Sequence, residues 1–196
     1  MQNYISLLSE KKYEQIYEDF ISSKSKEMVT QDEFIKYKTN IDTTFHKGKL
    51  TSKKIIPLDI LNDNPSYKRF KLDGSIVLSG DTTNIRNYYT LINENGEWKV
   101  IWTLSLIKLA YDQFDKGNYI EAQKSFEKIK AIDPYNGKIY IGVAWCSLRG
   151  ALKNVHEDQQ EILKNVKYAL QIEKENPSIY NALGNYYLIS GEDDLA

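Results

Sequence analysis

Apolar residues at Tyr13, Ile16, Tyr17 and Phe20 fall at i, i+3, i+4 and i+7, one face of a helix. Thr30, followed three residues later by Glu33, is a capping box and predicts a second helix with Phe34, Tyr37 and Ile41 turned inward. From Ile55 the hydrophobic period changes to two. Phe70, Leu72, Ile76 and Leu78 share one side of a long strand, residues 85–92 form another, and Trp98, Val100, Trp102 and Leu104 line a third. Asn95-Gly96 between the last two predicts a tight hairpin. Two helices followed by a curved antiparallel sheet is an α+β pattern, assigned to residues 1–105.

The remainder, residues 106–196, reads as helices carrying an internal repeat. Gly117-Asn118-Tyr119-Ile120-Glu121-Ala122, then Phe126 and Pro134, gives Ala, three residues, Phe and a closing Pro. Tyr180-Asn181-Ala182-Leu183-Gly184-Asn185-Tyr186-Tyr187 gives an aromatic residue, two residues, Leu-Gly, two residues and Tyr, and Tyr140, Val143 and Ala144 occupy the same places between them. Leu106 to Tyr140 is 34 residues and Tyr140 to Tyr180 is 40. Gly117 to Gly191 and Ala122 to Ala196 are both 74 apart, the sum of 34 and 40. This pattern and period resemble the tetratricopeptide repeat, with units at 106–136, 137–176 and 177–196. The six extra residues of the middle unit fall between its two helices, around Ala151 to Asp158. Small residues at Ala110, Ala144, Gly184, Ala122 and Ala169 let paired helices approach closely, and Asp133-Pro134 stops one pair before the next.

The first segment resembles the nuclear-transport-factor-2-like domain at the N-terminus of methicillin-resistance-type penicillin-binding proteins. The carrying features are Tyr13 through Phe20 leading to Ser22-Ser23-Lys24-Ser25, then Thr30-Gln31-Asp32-Glu33-Phe34, and the closing Asn95-Gly96-Glu97-Trp98-Lys99-Val100-Ile101-Trp102. In that family a Trp-Lys-Val-aromatic-Trp strand ends the domain before a Ser-Leu-Ile step, matched by Ser105-Leu106-Ile107. No transpeptidase-like segment follows in this sequence, no Ser-x-x-Lys nucleophile motif is expected in the chain, and Ser22-Ser23-Lys24 reads as a helix end. The resemblance implies a cone-like domain and an extracytoplasmic, membrane-anchored full-length protein of Gram-positive type. A cytoplasmic protein is the alternative.

Composition narrows the function classes. Residues 1–105 carry 15 Lys/Arg against 14 Asp/Glu, and residues 106–196 carry 11 against 13. No concentrated basic stripe exists, so nucleic acid is not an expected partner. The Lys47, Lys49, Lys53, Lys54 cluster reads as a solvated loop and strand edge. A lone cysteine, Cys146, forbids an internal disulfide and reads as a buried structural thiol. The longest apolar run, Ile139 to Leu148, is too short for a bilayer span. After Met1, Glu10, Lys11 and Lys12 break any signal-peptide core.

Candidate chemistry is sparse. His46 and His156 are the only histidines, 110 residues apart, so neither a zinc site nor any other metal or cofactor site is expected. No Gly-rich phosphate loop occurs. An enzyme on a cone fold needs an acid or base directed inward. The strand positions assigned inward are Phe70, Leu72, Ile76, Leu78, Val100 and Leu104, a filled apolar core, with Asp73 and Asp81 at structural turns. No catalytic residue is therefore assigned, and the terminal Glu192-Asp193-Asp194 reads as solvated charge.

The expected function is that of a non-enzymatic adaptor. In tetratricopeptide arrays the first helices of successive pairs line a groove for a peptide or partner protein. Carried over residue by residue, that groove comprises Tyr111 and Phe114, then Lys138, Ile141, Trp145 and Arg149, then Asn181, Asn185 and Leu188. For Trp145 and Phe114 the competing role is packing between repeats. A ligand-binding or enzymatic cone with the repeats as accessory is the second expectation. Ala196 aligns with Ala122, early in a second helix, so Leu183, Tyr187 and Leu188 are expected to need cover from a neighbouring molecule or a symmetric self-contact.

Overall fold

The computed structural model describes residues 2–45, 49–59, 64–78, 81–151 and 159–191. In chain order the first unit holds α1 (Gln2–Ser9), α2 (Tyr13–Phe20), α3 (Ser23–Lys26), α4 (Gln31–Phe45), β1 (Lys49–Leu58), β2 (Tyr67–Leu78), β3 (Asp81–Glu94) and β4 (Glu97–Ile101). Helices α5 (Leu104–Asp115), α6 (Tyr119–Ile132), α7 (Gly137–Ala151), α8 (Gln159–Ile172) and α9 (Pro177–Ser190) follow. The chain divides into two compact units, Met1–Ser105 and Leu106–Ala196. One antiparallel four-stranded sheet and nine helices among the described residues make this an α+β protein whose C-terminal part is helical.

In the first unit α2 buries Tyr13, Ile16 and Tyr17, the face its periodicity predicts. Helix α1, which buries Tyr4 and Ile5, was not expected, because two buried positions in eight residues give no readable period. The capping box forms at the start of α4. The Thr30 backbone N–H donates to Glu33 Oε2 at 2.8 Å, and Glu33 N–H donates to Thr30 Oγ1 at 3.3 Å. These bonds from Thr30 favour the ionised form and hold the Glu33 carboxyl below its ordinary range. Their contribution is therefore present at neutral pH and fades as pH falls through the folded-state pKa. Thr30→Ala should cost about 1 kcal/mol at pH 7, and the loss should shrink on acidification. Urea melts of the two proteins at neutral and acidic pH check this, and a pH-independent difference would count against the box.

The sheet is a meander in the order β1-β2-β3-β4. Asn95 and Gly96 both have positive φ, 53° and 91°, between the paired Glu94 and Glu97, so the two-residue hairpin forms as read. Strand β4 ends at Ile101, so Leu104 lies in α5 and is not a strand position. Trp102 leaves the sheet to pack edge-on against Phe34 (5.0 Å between ring centres) and Tyr37 (5.7 Å). The serine segment joins helices to sheet. Ser22 N–H donates to the Val100 carbonyl, Trp102 N–H donates to Ser25 Oγ, and the Glu94 carboxylate accepts from Ser23 N–H at the start of α3.

Register places Phe70 opposite Tyr89 and Leu91 opposite Val100 on one sheet face, where Tyr4 meets Tyr89 at 5.9 Å. Leu72 and Val100 are buried as expected, and Phe70 is half-buried. The opposite face departs from a purely apolar filling. There Arg69 is 2% exposed and Lys71 9%, beside buried Thr90, Ile92 and Ile101. Alternation along β2 marks only one apolar side, and a cation buried on the other side carries no hydrophobic signal. The side chains of Ile41, Ile76, Leu78 and Asp81 lie outside the described residues, as do Lys47 and His46.

In the second unit Ile107, Ala110, Ala122, Phe126, Ile129, Ile139, Val143 and Cys146 form one core cluster between α5, α6 and α7. Ile141, Ala144, Leu148, Ile162, Val166, Ala169, Ile179, Ala182 and Tyr186 form the next, between α7, α8 and α9. Ala110, Ala122, Ala144 and Ala169 have no exposed surface, consistent with close helix approach, whereas Gly184 is only half-buried. A close approach occurs at Gly142, where an added Cβ would lie 2.5 Å from the Phe126 ring. The expected insertion around residues 151–158 and the acidic run Glu192-Asp193-Asp194 lie outside the described residues, apart from Ala151 at the end of α7.

Candidate functional site

Helix α7 turns 100° per residue, so Lys138, Trp145 and Arg149 fall within about 20° of one line along its surface. Lys138 and Arg149 are exposed and Trp145 is half-buried, its ring packing on the α7–α9 core. Ile141 does not belong with them. It is 2% exposed inside the cluster shared with α8 and α9. The reason is rotational: Ile141 lies about 60° from that line, on the stripe with Leu148 that faces the next helix pair. Asn181 stands 40 residues on, at the corresponding place of α9, and is exposed.

The flanking helices contribute less open surface. Tyr111 on α5 is half-buried, its ring 4.9 Å from Phe126 and its hydroxyl donating to the Lys138 carbonyl at 3.1 Å. Burial pushes that hydroxyl well above its ordinary value, with nearby Cys146, Glu173 and Asp115 adding to it, so it acts as a neutral donor. Phe114 is half-buried and tilts against Tyr119 at 5.1 Å. On α9, Asn185 Nδ2 donates to both the carbonyl and Oδ1 of Asn181 at 2.8 Å. That leaves Asn185 Oδ1 and Asn181 Nδ2 facing away from their mutual bonds. Leu188 is 57% exposed, while Leu183 and Tyr187 pack partly onto the core.

The junctions between helix pairs carry a repeated set of bonds that the sequence reading missed. At the first, Asn136 Nδ2 donates to Asp133 Oδ2 at 3.0 Å, Asn136 Oδ1 accepts from Lys138 N–H, and Tyr140 hydroxyl donates to the Pro134 carbonyl. At the second, Asn176 Nδ2 donates to Glu173 Oε2 at 3.0 Å, Asn176 Oδ1 accepts from Ser178 N–H, and Tyr180 hydroxyl donates to the Lys174 carbonyl. Every member is displaced by 40 residues. The available signal was an acid three residues before Asn and seven before Tyr, at both places. Gly117 and Gly191, 74 residues apart, share φ values of 80° and 76° after α5 and α9.

In the first unit, burial raises Asp73, but the Arg86 hydrogen bond (3.0 Å) and the nearby Lys71 charge outweigh it and leave its carboxyl below the usual range. Such a carboxylate is a weak base. Burial pushes the Tyr89 hydroxyl up to about 12 and Tyr4 well above its ordinary value, which keeps both neutral. Contrary to expectation, the Ser-x-x-Lys spacing of transpeptidase nucleophiles occurs at Ser9, Ser105 and Ser125 and, within the segment that carries the resemblance, at Ser23 with Lys26. There Ser23 Oγ donates to Glu94 at 2.8 Å and Lys26 Nζ to the Glu18 carbonyl at 2.9 Å, so each is engaged elsewhere. Cys146 is buried in the core. Among the described residues no group of three His, Cys, Asp or Glu could hold a metal, and no helix is long and apolar enough to cross a membrane. No protein-family model matches the chain, and no curated protein is similar to it.

Proposed function

We propose that this chain is a non-enzymatic adaptor whose second unit is a tetratricopeptide array that holds a peptide or partner protein along α5, α7 and α9. The observation that carries the reading is the outward line of Lys138, Trp145 and Arg149, with an aromatic anchor between two cations. Trp and Arg are the side chains that most often dominate interface energy, because each buries a large area with a directional polar group. The repeat assignment is supported by the junction bonds that recur at a 40-residue offset. The first unit is read as a cone of nuclear-transport-factor-2 type, from the capping box, the Asn95-Gly96 hairpin and the meander order.

Selection of 12-residue random peptides displayed on phage against the 196-residue chain tests the groove. Selected peptides should perturb the Trp145 indole N–H resonance, and Trp145→Ala should weaken them at least tenfold, about 1.4 kcal/mol or more. Failure to select any peptide that perturbs this resonance would remove the reading.

A second reading is favoured by one observation, the burial of Arg69 and Lys71 on one sheet face. Lys71 Nζ lies 3.4 Å from Asp73 and the Arg69 guanidinium stands over the Tyr88 ring, and a ligand-binding cone would turn these two cations to hold an anionic small molecule. Chemical shifts of Arg69 and Lys71 that respond to small carboxylates or phosphates would support it.

A further inference from the structure

We infer that the partner of the α7 surface is an acidic segment carrying an apolar or aromatic residue, held between Lys138 and Arg149 with its apolar residue on Trp145. This deepens the groove reading above and rests on it.

The two cations stand eleven positions apart, which at 1.5 Å rise per residue puts them about 16 Å apart along α7. Trp145 stands between, about 6 Å in rise from Arg149 and 10 Å from Lys138. Neither cation forms an ion pair within the described residues. The other lysines of this unit divide: Lys116, Lys128, Lys167 and Lys174 are likewise exposed with no ion pair among the described residues, and four others pair along their own helix. Lys108 pairs with Asp112, Lys124 with Glu121, Lys130 with Glu127 and Lys164 with Glu161. Those four each have a carboxylate three or four residues away on the same helix, the spacing at which helix charges neutralise one another. Helix α7 contains no Asp or Glu at all, so the sequence supplies its two cations with no such neighbour.

Among the described residues, the corresponding lines of α5 and α9 supply little opposing charge. On α5 the corresponding line carries Tyr111 and one exposed carboxylate, Asp115, which makes no ion pair with Lys138 or Arg149. On α9 the line is Ser178, Asn185 and Ile189, all neutral. The strip is therefore net positive in a chain whose net charge is −1. Such a strip draws in carboxylates and disfavours basic segments, and the charges act chiefly on encounter and selectivity. The spacing suits an extended segment of about five to six residues, at about 3.3 Å each, with acids toward both ends.

The phage selection described above separates this inference from the groove reading. Peptides that perturb Trp145 should be enriched in Asp and Glu on either side of a large apolar residue. Their affinity should fall about five- to tenfold between 50 and 500 mM salt, the loss of two exposed ion pairs. The Lys138→Glu, Arg149→Glu double variant should select basic peptides in their place, with its thermal midpoint unchanged because both side chains are exposed. Peptides that bind at Trp145 yet show no acidic enrichment, or an unaltered preference in the double variant, would overturn the inference while leaving the groove. An absence of any Trp145 binder would overturn both.

Discussion

Gly142→Ala should destabilise the chain by about 2–3 kcal/mol, as an overpacked core position does when its neighbours cannot move aside. The added Cβ would lie 2.5 Å from Cε1 and Cζ of Phe126, and essentially no real contact is that short. Phe126 cannot retreat. It has no exposed surface, and it lies in one cluster with Ile107, Ala110, Ala122, Ile129, Ile139 and Val143, with the Tyr111 ring in T-shaped contact at 4.9 Å. Helix propensity works the other way, because alanine is favoured over glycine within a helix by about 1 kcal/mol. A net loss is therefore a lower bound on the cost of the clash. The cycle with Phe126→Leu isolates it. That substitution by itself leaves a cavity and should cost about 1–2 kcal/mol, yet in the Gly142→Ala background it makes room for the methyl group. The double variant should be more stable than the sum of the two losses by at least about 1 kcal/mol. Urea unfolding of the four proteins, followed by far-ultraviolet circular dichroism, gives the coupling. A Gly142→Ala protein as stable as the parent, or strictly additive losses, would mean that α6 and α7 are not this close.

What the sequence made legible follows from how each feature is encoded. The Thr30–Glu33 box and the Asn95-Gly96 turn are local devices whose residues contact each other, and both form with the expected partners. The face of α2 was legible because three apolar side chains repeat within eight residues. Arg69 was not, since a buried guanidinium follows from what lies across the sheet, not from its neighbours in sequence. Ile141 shows the same limit inside the candidate site. Aligning helices assigns a residue to a position, but the groove line and the stripe facing the next pair are only about 60° apart. A hydrophobic residue on that border goes to the core, and Ile141 did. Gly142 next to it was given no role by the repeat pattern, though the close approach to Phe126 requires it.

Glu173→Ala should cost about 2–4 kcal/mol, because one buried carboxylate serves two helix starts. Its Oε1 accepts the Gly137 backbone N–H at 2.8 Å at the first residue of α7, and its Oε2 accepts from Nδ2 of Asn176, the N-cap of α9, at 3.0 Å. The side chain is 2% exposed, so water cannot replace it freely. Helix N-termini carry orphan N–H groups and a partial positive charge, and an anion satisfies both. The arrangement also explains the residues beside it. Glycine suits position 137 because an added Cβ would lie 2.8 Å from Glu173 Cδ and would push the carboxylate off its present place. Forty residues later the first helical position is Pro177, which has no N–H and so needs no acceptor. Glu173→Gln keeps an oxygen for Gly137 but turns an amide toward the Asn176 amide, so its loss should fall between the parent and the alanine variant. Hydrogen exchange locates the effect. Amides at the starts of both α7 and α9 should lose protection together in Glu173→Ala, while those of α6 hold theirs. Loss confined to α9, or a change in stability under about 0.5 kcal/mol, would show that the carboxylate does not couple the two pairs.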